Sequence, residues 1–384
     1  MISSTLANYL YHTRPEQGVT IVTIDNQLPY ITKPESDAAL ARMEAWWHCA
    51  ILDRPVVQVT APKPPGQRKT VTHKSHDTLR DRYMDVEYTL ERAQCWIDNT
   101  YWLGEQFPIF WPNLGPEILT ATLGAELEFG ETTSWSIPCL HDWNGVSKLH
   151  VDPENVYTRT ILEMTQRALE QSGGRYLTGI TDIHPGADLA ASLRDPQQLC
   201  LDLALEPDQV HRLMDQLRPT FFELYELQHS LMRNAGQTLT VSWLPVLTDG
   251  KCYIPSCDFA CTISSKMFKE FFLQEILDEI NWLDRSIFHL DGPQALHHLD
   301  TLLDIPKLNA IQFVCGAGHE PSSGWMQVFQ RIQRAGKGIH VTIAPSDIDP
   351  FIEALKPEGV MLHTWSGSLE EADAIIEKVT RWGK

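Results

Sequence analysis

The stretch SIFHLDGPQALHHLDTLLDIPKLNAIQFVCGAG (residues 286–318) decides the fold class, because it contains one local pattern twice. In that pattern an apolar run ends in a glycine-containing turn, and a helical segment follows. Similar runs are GIHVTIAP (338–345) and GVMLHTWSGS (359–368). The helices that follow the four runs are expected over 293–303, 322–335, 347–355 and 369–382. Four consecutive strand–helix units are typical of a parallel sheet with crossover helices.

Earlier segments bring the number of strands close to eight. Apolar, β-branched runs lie at 54–62, 175–183 and 237–246. A further strand at 18–24 and a helix from Ser36 precede them. Neither GxGxxG nor GxxxxGK[ST] occurs at a strand-to-helix turn, which disfavours a nucleotide-binding fold. We therefore predict an α/β protein with a (β/α)8 TIM-type barrel over residues 53–384 and an N-terminal extension over residues 1–52.

The bulk properties exclude several classes of function. The 384-residue chain has 31 Lys and Arg against 50 Asp and Glu, and its formal net charge is −19. Without a basic block, nucleic acid is not expected as a partner. No apolar run reaches the roughly 18 to 20 residues of a membrane span, and no signal peptide is recognised. The 8 Cys residues are scattered, so a cytoplasmic location without a membrane partner is expected.

Polar and aromatic residues cluster where the predicted strands end, which is where barrel enzymes build their active sites. They are Asp182, His184, Trp243, His289, Asp291, Cys315, His363 and Trp365, with Asp258 in a preceding loop. Considered alone, Asp291 is explained equally well as a helix N-cap and as a functional residue. A lone His on a strand is more often a core residue than a ligand. His340, early in its strand, fits the core interpretation.

His289 and Asp291 stand out because residues i and i+2 of a strand face the same side. An imidazole and a carboxylate at this spacing suit either a zinc site or a general base with its orienting acid. Cys315 or His363, from neighbouring strand ends, would supply a third ligand. The sequence leaves the two interpretations open.

Several segments together resemble the superfamily of uroporphyrinogen decarboxylase, the corrinoid-linked methyltransferases and cobalamin-independent methionine synthase. The resemblance runs from about residue 54 to the end of the chain. Its carrying segments are RPVVQVT (54–60), ILTATLGAELEF (118–129), GITDIHPGADLAASLRDPQQLCLDLALEPDQVHRLM (179–214), CDFACTISSKMFKEFFLQEI (257–276) and FHLDG (288–292). The order of these segments, more than any one of them, is specific for a UROD-like barrel.

The branches of the superfamily differ at the positions that matter. Uroporphyrinogen decarboxylases carry an Arg-rich segment after the first strand, where this chain has VVQVTAPKPPGQRK (56–69). The resemblance therefore does not imply uroporphyrinogen decarboxylation. Zinc methyltransferases carry His-x-Cys on the strand that here bears His289 and Asp291. His289 matches the His, and Asp291 stands at the Cys position. The predicted site therefore has a hard carboxylate ligand where the zinc methyltransferases have a soft thiolate.

The resemblance implies methyl transfer from a small organic substrate to a corrinoid carried by a partner protein, at a zinc-assisted site. The predicted metal ligands are His289, Asp291, Cys315 and His363. The predicted catalytic residues are His289, Asp291, Asp258, His184 and Asp182. The predicted substrate-binding residues are Trp243, Tyr253, Trp365, Arg54 and Trp111. The sequence leaves the oligomeric state open, with a homodimer as the candidate assembly.

Three alternatives stay open. A lyase or decarboxylase acting on a small carboxylate, with or without a metal, would use His289 and Asp291 as an acid/base pair and need a cationic clamp from Arg54, Arg68 or Lys69. A carbohydrate-acting enzyme would need two carboxylates about 5 to 10 Å apart; the Asp residues at the strand ends would supply them. A non-catalytic binding homologue would have lost the chemistry.

Overall fold

A central, mostly parallel β-sheet with helices packed on it forms the fold. The computed structural model describes residue 33 and residues 35–384. The strand expected at 18–24, and most of the expected N-terminal extension, lie outside the described residues. The strands are β1 (Val56–Pro62), β2 (Thr100–Gly104), β3 (Ile109–Phe110), β4 (Leu127–Phe129), β5 (Ser134–Ser136), β6 (Leu177–Thr178), β7 (Leu239–Thr240), β8 (Thr248–Asp249), β9 (Cys252–Tyr253), β10 (Arg285–Asp291), β11 (Ala310–Val314), β12 (Gly338–Thr342) and β13 (Val360–Trp365).

The helices alternate with the strands in the C-terminal part and are concentrated between β6 and β7 in the middle. They are α1 (Ser36–Trp47), α2 (Leu79–Met84), α3 (Val86–Asp98), α4 (Ile118–Thr122), α5 (Val156–Gln171), α6 (Gly186–Arg194), α7 (Pro196–Leu205), α8 (Pro207–Leu217), α9 (Thr220–Asn234), α10 (Ser265–Met267), α11 (Leu273–Trp282), α12 (Leu299–Leu303), α13 (Met326–Arg334), α14 (Ile348–Ala354) and α15 (Leu369–Trp382). A π-helical turn at Phe268–Phe272 joins α10 to α11. Within the described part, no helix is long and apolar enough to cross a membrane.

Seven strands form one sheet in the order β2-β1-β13-β12-β11-β10-β9. The pairs from β1 through β13, β12 and β11 to β10 are all parallel, and β2 runs antiparallel to β1. The four strand–helix units predicted near the C-terminus are therefore confirmed. A helix follows each of these strands, and in a parallel sheet such helices connect the end of one strand to the start of the next.

The remaining strands are short, and the ladders of the described residues do not close into a barrel. β3 pairs in parallel with β6, and the N–H of Ile180 donates to the carbonyl oxygen of Val241 at 2.8 Å, which links the β6 and β7 segments. Among the described residues no ladder joins β1 to β3. Pro108 and Pro112 flank β3, and because proline has no N–H they limit this strand to two residues. The α/β class is confirmed, without a continuous barrel ladder.

The helical segments 186–205 and 207–234 are each divided in two, into α6 with α7 and α8 with α9. Asp195, at φ 82°, separates α6 from α7, and its carboxylate accepts the N–H groups of Gln197 and Gln198. Pro196 begins α7 at a position where proline is well tolerated. The apolar periodicity of residues 186–205 by itself predicts one continuous helix. The Asp195 cap divides it into α6 and α7.

Alternate residues of the parallel strands point toward the interior of the sheet. The interior residues nearest the amino ends of the strands are apolar and pack with Trp46 and Trp47 of α1. These residues are Val56, Ile287, Ala310 and Met361. The indole N–H groups of Trp46 and Trp47 donate to the carbonyl oxygens of Ile339 and Leu247 at 3.2 and 3.0 Å. α1 therefore closes the interior at the amino ends of the strands and leaves polar chemistry to the carboxyl ends.

Candidate functional site

His289 and Asp291 lie at the carboxyl end of β10, on the inner face. Phe288 and Leu290, the alternate residues, are buried in the core with the surrounding helices. The N–H of His289 donates to the carbonyl oxygen of Pro255 at 2.9 Å. This contact holds the segment that follows β9 beside β10 and brings Asp258 to the same strand end.

Asp258, His289 and Asp291 form a group with metal-site geometry. One side-chain ligand atom from each lies within 4.8 Å of the other two. His289 is half-buried and Asp291 is exposed, so the group faces outward from the strand end. Burial raises the pKa of Asp291, the positive charge that His289 can carry lowers it, and the carboxylate of Asp258 raises it further.

The orientation of the His289 ring is set from the neighbouring strand. Its Nδ1 lies 2.7 Å from Oε1 of Gln312, which is its register partner on β11. Since an amide oxygen only accepts, Nδ1 carries the proton and donates it. The Nε2 lone pair is then available to a metal ion, an arrangement that metal-binding histidines commonly use.

Asp258 is held by its backbone, which leaves its carboxylate available. The N–H groups of Asp258 and Phe259 donate to the carboxylate of Asp188 at 3.0 and 2.8 Å. These bonds cap the short 3-10 turn Asp258–Thr262 from α6. Within the described residues, the buried Oδ1 of Asp258 has no hydrogen-bond partner. A buried carboxylate oxygen without a partner is costly and indicates a missing ligand.

A second group shares Asp258. His184, Asp188 and Asp258 also place one ligand atom each within 4.8 Å of the others. Nε2 of His184 lies 3.2 Å from Oδ1 of Asp182, and Nδ1 lies 3.9 Å from Oδ2 of Asp188. Asp258 thus stands between a histidine on each side.

The electrostatics of this second group favour a charged imidazole. Burial works against the proton on His184, but the hydrogen bond to Asp182 and the charges of Asp182, Asp188 and Asp258 outweigh it and raise its pKa to about 9. Burial, together with the charge of Asp258, raises the pKa of Asp188 to about 6. At neutral pH His184 is therefore an imidazolium that offsets part of the negative charge around Asp258.

Of the four predicted aromatic residues, Trp243 is the one whose ring contacts His289 among the described residues. The ring of Trp243 meets the ring of His289 edge to face, with centroids 5.6 Å apart. Trp365, at the carboxyl end of β13, is 51% exposed. Trp111 lies against Gly179, where an added Cβ would be 3.1 Å from the Trp111 Cβ. Tyr253 is fully buried, and its hydroxyl donates to the carbonyl oxygen of Thr181 at 2.9 Å.

Two predicted metal ligands, Cys315 and His363, and the predicted substrate-binding residue Arg54 are among the residues that lie outside both metal-type groups. Cys315 is buried directly after β11, with its Sγ 3.9 Å from Oγ of Ser322. Nδ1 of His363 lies 3.2 Å from Oγ1 of Thr342. Arg54 lies before the first residue of β1, at the opposite end of the strand, and its guanidinium contacts both carboxylate oxygens of Glu105 at 2.6 and 2.7 Å.

Gln312 and Asp188 are two residues of the site that the sequence pattern did not predict. Gln312 is recognisable in hindsight as the one polar residue in the run AIQFV (310–314), on the inner face beside His289. Asp188 has no comparable signal, because an Asp in the first turn of a helix is common. Its contact with the turn at Asp258 depends on tertiary packing.

Comparisons with known proteins support the fold and leave the family open. The sequence matches no protein-family model, and no curated protein matches it. Among solved structures, the fold is similar to that of a methyltransferase from Methanosarcina mazei, with a TM-score of 0.57 and 11% sequence identity. The match covers 90% of this chain and 99% of that one. The chain therefore has the overall fold of a solved methyltransferase along nearly its whole length.

Proposed function

We propose that this chain is a UROD-like methyltransferase that binds zinc through Asp258, His289 and Asp291. In this proposal it transfers a methyl group from a small organic compound to the corrinoid of a partner protein. The observation that carries the proposal is the convergence of these three ligand atoms within 4.8 Å at a strand end. The fold shared with a methyltransferase supports the reaction class.

The scaffold that we propose is the TIM-type barrel. Six adjacent parallel strands (β1, β13, β12, β11, β10 and β9), the β3–β6 ladder and the link from Ile180 to Val241 are consistent with one sheet that curves around a common interior. In such a barrel the carboxyl ends of the strands surround a single mouth. A mouth open to solvent is what a protein-borne methyl acceptor requires.

The residues present fit a zinc ion. Imidazole nitrogen and carboxylate oxygen are both zinc ligands, and three protein ligands with an open position are typical of catalytic zinc sites. Oδ1 of Asp258, which has no hydrogen-bond partner among the described residues, and Nε2 of His289 would be two such ligand atoms. Cys315 and His363 stay predictions as ligands. When bound, zinc would act as a Lewis acid that polarises the heteroatom carrying the methyl group.

The protein's own residues hold and orient this site. Gln312 fixes the ring of His289, and Asp188 fixes the turn that carries Asp258. The Trp243 ring provides an apolar wall beside His289. In the reaction, the bond between the substrate's oxygen or nitrogen and the methyl carbon breaks, and its electron pair stays on the heteroatom, which takes up a proton. The acceptor supplies the electron pair of the new bond to carbon.

The contacts of the cationic residues favour methyl transfer over the carboxylate-lyase alternative. Arg54 is buried and engaged by Glu105. Lys69 pairs with Asp98 at 2.6 Å. A substrate carboxylate would have to displace these partners or use Arg68, whose Nε donates to the carbonyl oxygen of Lys63 at 2.6 Å, whereas a methoxy or methylamine group needs no cationic clamp.

Metal analysis of the purified protein tests the site. We expect about one zinc per chain by inductively coupled plasma mass spectrometry, and loss of most of it in Asp258→Asn, His289→Ala and Asp291→Asn. Asp304→Asn, on an exposed residue, is the matched control and should retain the metal. Wild-type protein without stoichiometric zinc after supplementation would contradict the metal assignment.

Activity is tested separately, with methoxylated aromatics and methylamines as methyl donors and free reduced cobalamin as the acceptor. We expect methylation of the cobalamin with at least one donor class, and its loss in His289→Ala. Zinc-loaded protein that methylates cobalamin from none of these donors would argue against methyl transfer while leaving the metal site intact.

A further inference from the structure

A cavity of about 500 Å³ lies between the carboxyl ends of β1 and β13 and the helix α3. This volume is in the range of small-molecule sites. Trp365 lines the cavity from the end of β13, Arg68 from the loop after β1, and Arg92 and Trp96 from α3. The lining positions on α3 are 92, 95, 96 and 99, a spacing that places them on one face of the helix. Three separate elements therefore form the walls of the cavity.

The cavity carries positive charge in a strongly acidic protein. Arg68 and Arg92 line it, and among the described residues no Asp or Glu does. Nε of Arg68 donates to the carbonyl oxygen of Lys63 at 2.6 Å. The guanidinium of Arg92 lies over the ring of Tyr88, 5.7 Å from its centroid, and neither arginine has a carboxylate partner in the described part of the chain. In a chain of net charge −19, two such arginines on one cavity favour an anionic ligand.

The acidic side chains of α3 nearest to these arginines are engaged elsewhere. The carboxylate of Asp98 pairs with Lys69 at 2.6 Å and with Arg175 at 3.5 Å. The carboxylate of Glu91 accepts the N–H of Thr72 at 2.9 Å. Neither of these two acidic residues lines the cavity. The positive charge of the cavity is therefore not neutralised by the acids that neighbour it along the helix.

The loop that carries Arg68 is fixed to the end of α3. The side chain of Asn99, which also lines the cavity, accepts the N–H of Lys69 at 2.7 Å and donates to its carbonyl oxygen at 2.8 Å. The N–H of Lys63 donates to the carbonyl oxygen of Asn99 at 2.8 Å. These bonds hold both ends of the segment 63–69. Because the backbone on either side of Arg68 is already ordered, binding a ligand there costs less conformational entropy.

Two exposed indole rings suit the cavity to a flat ligand. Trp96 is 54% exposed and Trp365 is 51% exposed. The ring of Trp96 packs edge to face against Trp102, with centroids 4.8 Å apart, so its free surface is held in place. Indole rings give a large contact area to other flat groups, and the planar guanidinium of arginine binds carboxylate and phosphate oxygens in pairs. A ring that bears an anionic group would match both features.

The cavity lies at the same edge of the sheet as the proposed metal site but away from it. Trp365 is the register partner of Thr60, near the carboxyl end of β1. His289 and Asp291 lie at the carboxyl end of β10, and β12 and β11 stand between β10 and β13. The two places are thus three strand spacings apart, about 14 Å along the sheet. A small ligand in the cavity would not contact His289.

We propose that this cavity binds an aromatic anion, a molecule that joins a flat ring to a carboxylate or phosphate group. The rings of Trp96 and Trp365 would cover the flat ring, and the guanidinium groups of Arg68 and Arg92 would bind the anionic oxygens. The inference goes beyond the proposed function, because it assigns a second binding site that uses no metal ion.

Benzoate and benzamide are suitable probes, since they have nearly the same shape and differ in charge. Binding to the purified protein is measured by ligand-observed NMR titration at neutral pH. We expect saturable benzoate binding, with benzamide and the ringless anion acetate each binding about ten-fold more weakly. Arg92→Gln and, separately, Trp365→Leu should each weaken benzoate binding about ten-fold. Arg334→Gln, on an exposed helix position outside the cavity, is the matched control and should bind benzoate like the wild type.

Phenyl phosphate in the same titration distinguishes the two anionic groups. Tighter binding than that of benzoate would support the inference with a phosphate ligand, and weaker binding would support it with a carboxylate ligand. Benzoate binding should also survive in His289→Ala and after zinc is removed with a chelator.

Benzamide or acetate binding as tight as benzoate binding would overturn the inference. Unchanged benzoate binding in both variants, or no saturable binding of either aromatic anion, would overturn it as well. Loss of benzoate binding in His289→Ala or on chelation would place the anion at the proposed metal site instead of in this cavity. If Trp365→Leu does not fold, Arg92→Gln on the exposed face of α3 decides alone. Zinc is measured on the same samples: benzoate binding without zinc contradicts the proposed metal site alone, and zinc without benzoate binding contradicts this site alone.

Discussion

The Nδ1 atom of His289 and the Oε1 atom of Gln312 lie 2.7 Å apart across two neighbouring parallel strands. This bond joins β10, which carries His289 and Asp291, to the neighbouring strand β11. It determines which ring nitrogen of His289 bears the proton and prevents the ring from turning. A residue that contacts no proposed metal ligand except His289 thus decides whether His289 presents a lone pair to the site.

Gln312→Leu should therefore lower zinc affinity roughly 10- to 100-fold, the effect typical of losing a supporting hydrogen bond to a metal-binding histidine. Gln312→Glu keeps an acceptor at this position and should restore most of the affinity. Competition with a zinc chelator at neutral pH measures both variants. Equal affinity in wild type and Gln312→Leu would show that the bond does not orient the ligand.

Asp188→Ala should both destabilise the protein and weaken the metal site. It removes the acceptor of the Asp258 and Phe259 N–H groups, and losing such charge-assisted bonds costs about 1 to 3 kcal/mol. Asp188→Asn retains one oxygen acceptor and should fall between wild type and Asp188→Ala. Urea denaturation and zinc competition measure the two effects. A loss of stability with unchanged zinc affinity would separate the turn from the metal site.

Glu275→Gln should stabilise the protein at alkaline pH. Burial, with the charge of Asp188 adding to it and Arg218 opposing it, raises the pKa of Glu275 to about 8 from 4.5. The protonated carboxyl therefore contributes stability that is full below pH 4.5 and is lost as the pH rises through about 8. An amide avoids this loss, so we expect a gain of about 1 to 3 kcal/mol near pH 9 and little change near pH 5. Urea denaturation at both pH values, with exposed Glu270→Gln as the control, measures it. A gain of equal size at both pH values would contradict the assigned titration.

Acid should destabilise the protein through His340. Because its pKa is lowered to about 3 from 6.5, the neutral ring contributes stability that is present above pH 6.5 and is lost as the pH falls toward 3. His340→Leu should flatten the dependence of the free energy of unfolding on pH between about pH 6.5 and about pH 4. Urea denaturation across this range measures the slope. An unchanged slope in the variant would show that other groups carry the acid sensitivity.

Asp202→Ala should be among the most destabilising single substitutions. Asp202 is buried, and its carboxylate accepts from Nε and Nη2 of Arg194 at 2.8 and 2.7 Å. Removing one partner of a buried ion pair leaves an uncompensated charge and costs about 3 to 5 kcal/mol. Glu377→Ala, which breaks an exposed pair with Arg381, should cost roughly 0.5 kcal/mol or less. Thermal unfolding compares them, and similar effects of both would contradict the burial argument.

The residue pattern was enough to predict the parallel half of the sheet. Each of the last four strands is an apolar run followed directly by an amphipathic helix, so strand, turn and helix are specified by neighbours in the chain. The same reasoning placed His289 and Asp291 on one face of β10. It overestimated the strands in the middle of the chain, where runs over 175–183 and 237–246 form ladders of only two residues each. Prolines beside β3 and the scarcity of pairing partners shorten them.

The sequence by itself determined the α/β class and the pairing of His289 with Asp291 on one face, because both follow from short-range periodicity. Only the tertiary structure decided that Asp258 joins them, that Asp188 holds its turn and that Gln312 turns the His289 ring. It also decided the charges: burial and nearby carboxylates make His184 an imidazolium, whereas burial without a counterion keeps His340 neutral. Proximity between distant segments and the local dielectric are properties of the packed molecule, and residue spacing along the chain does not encode them.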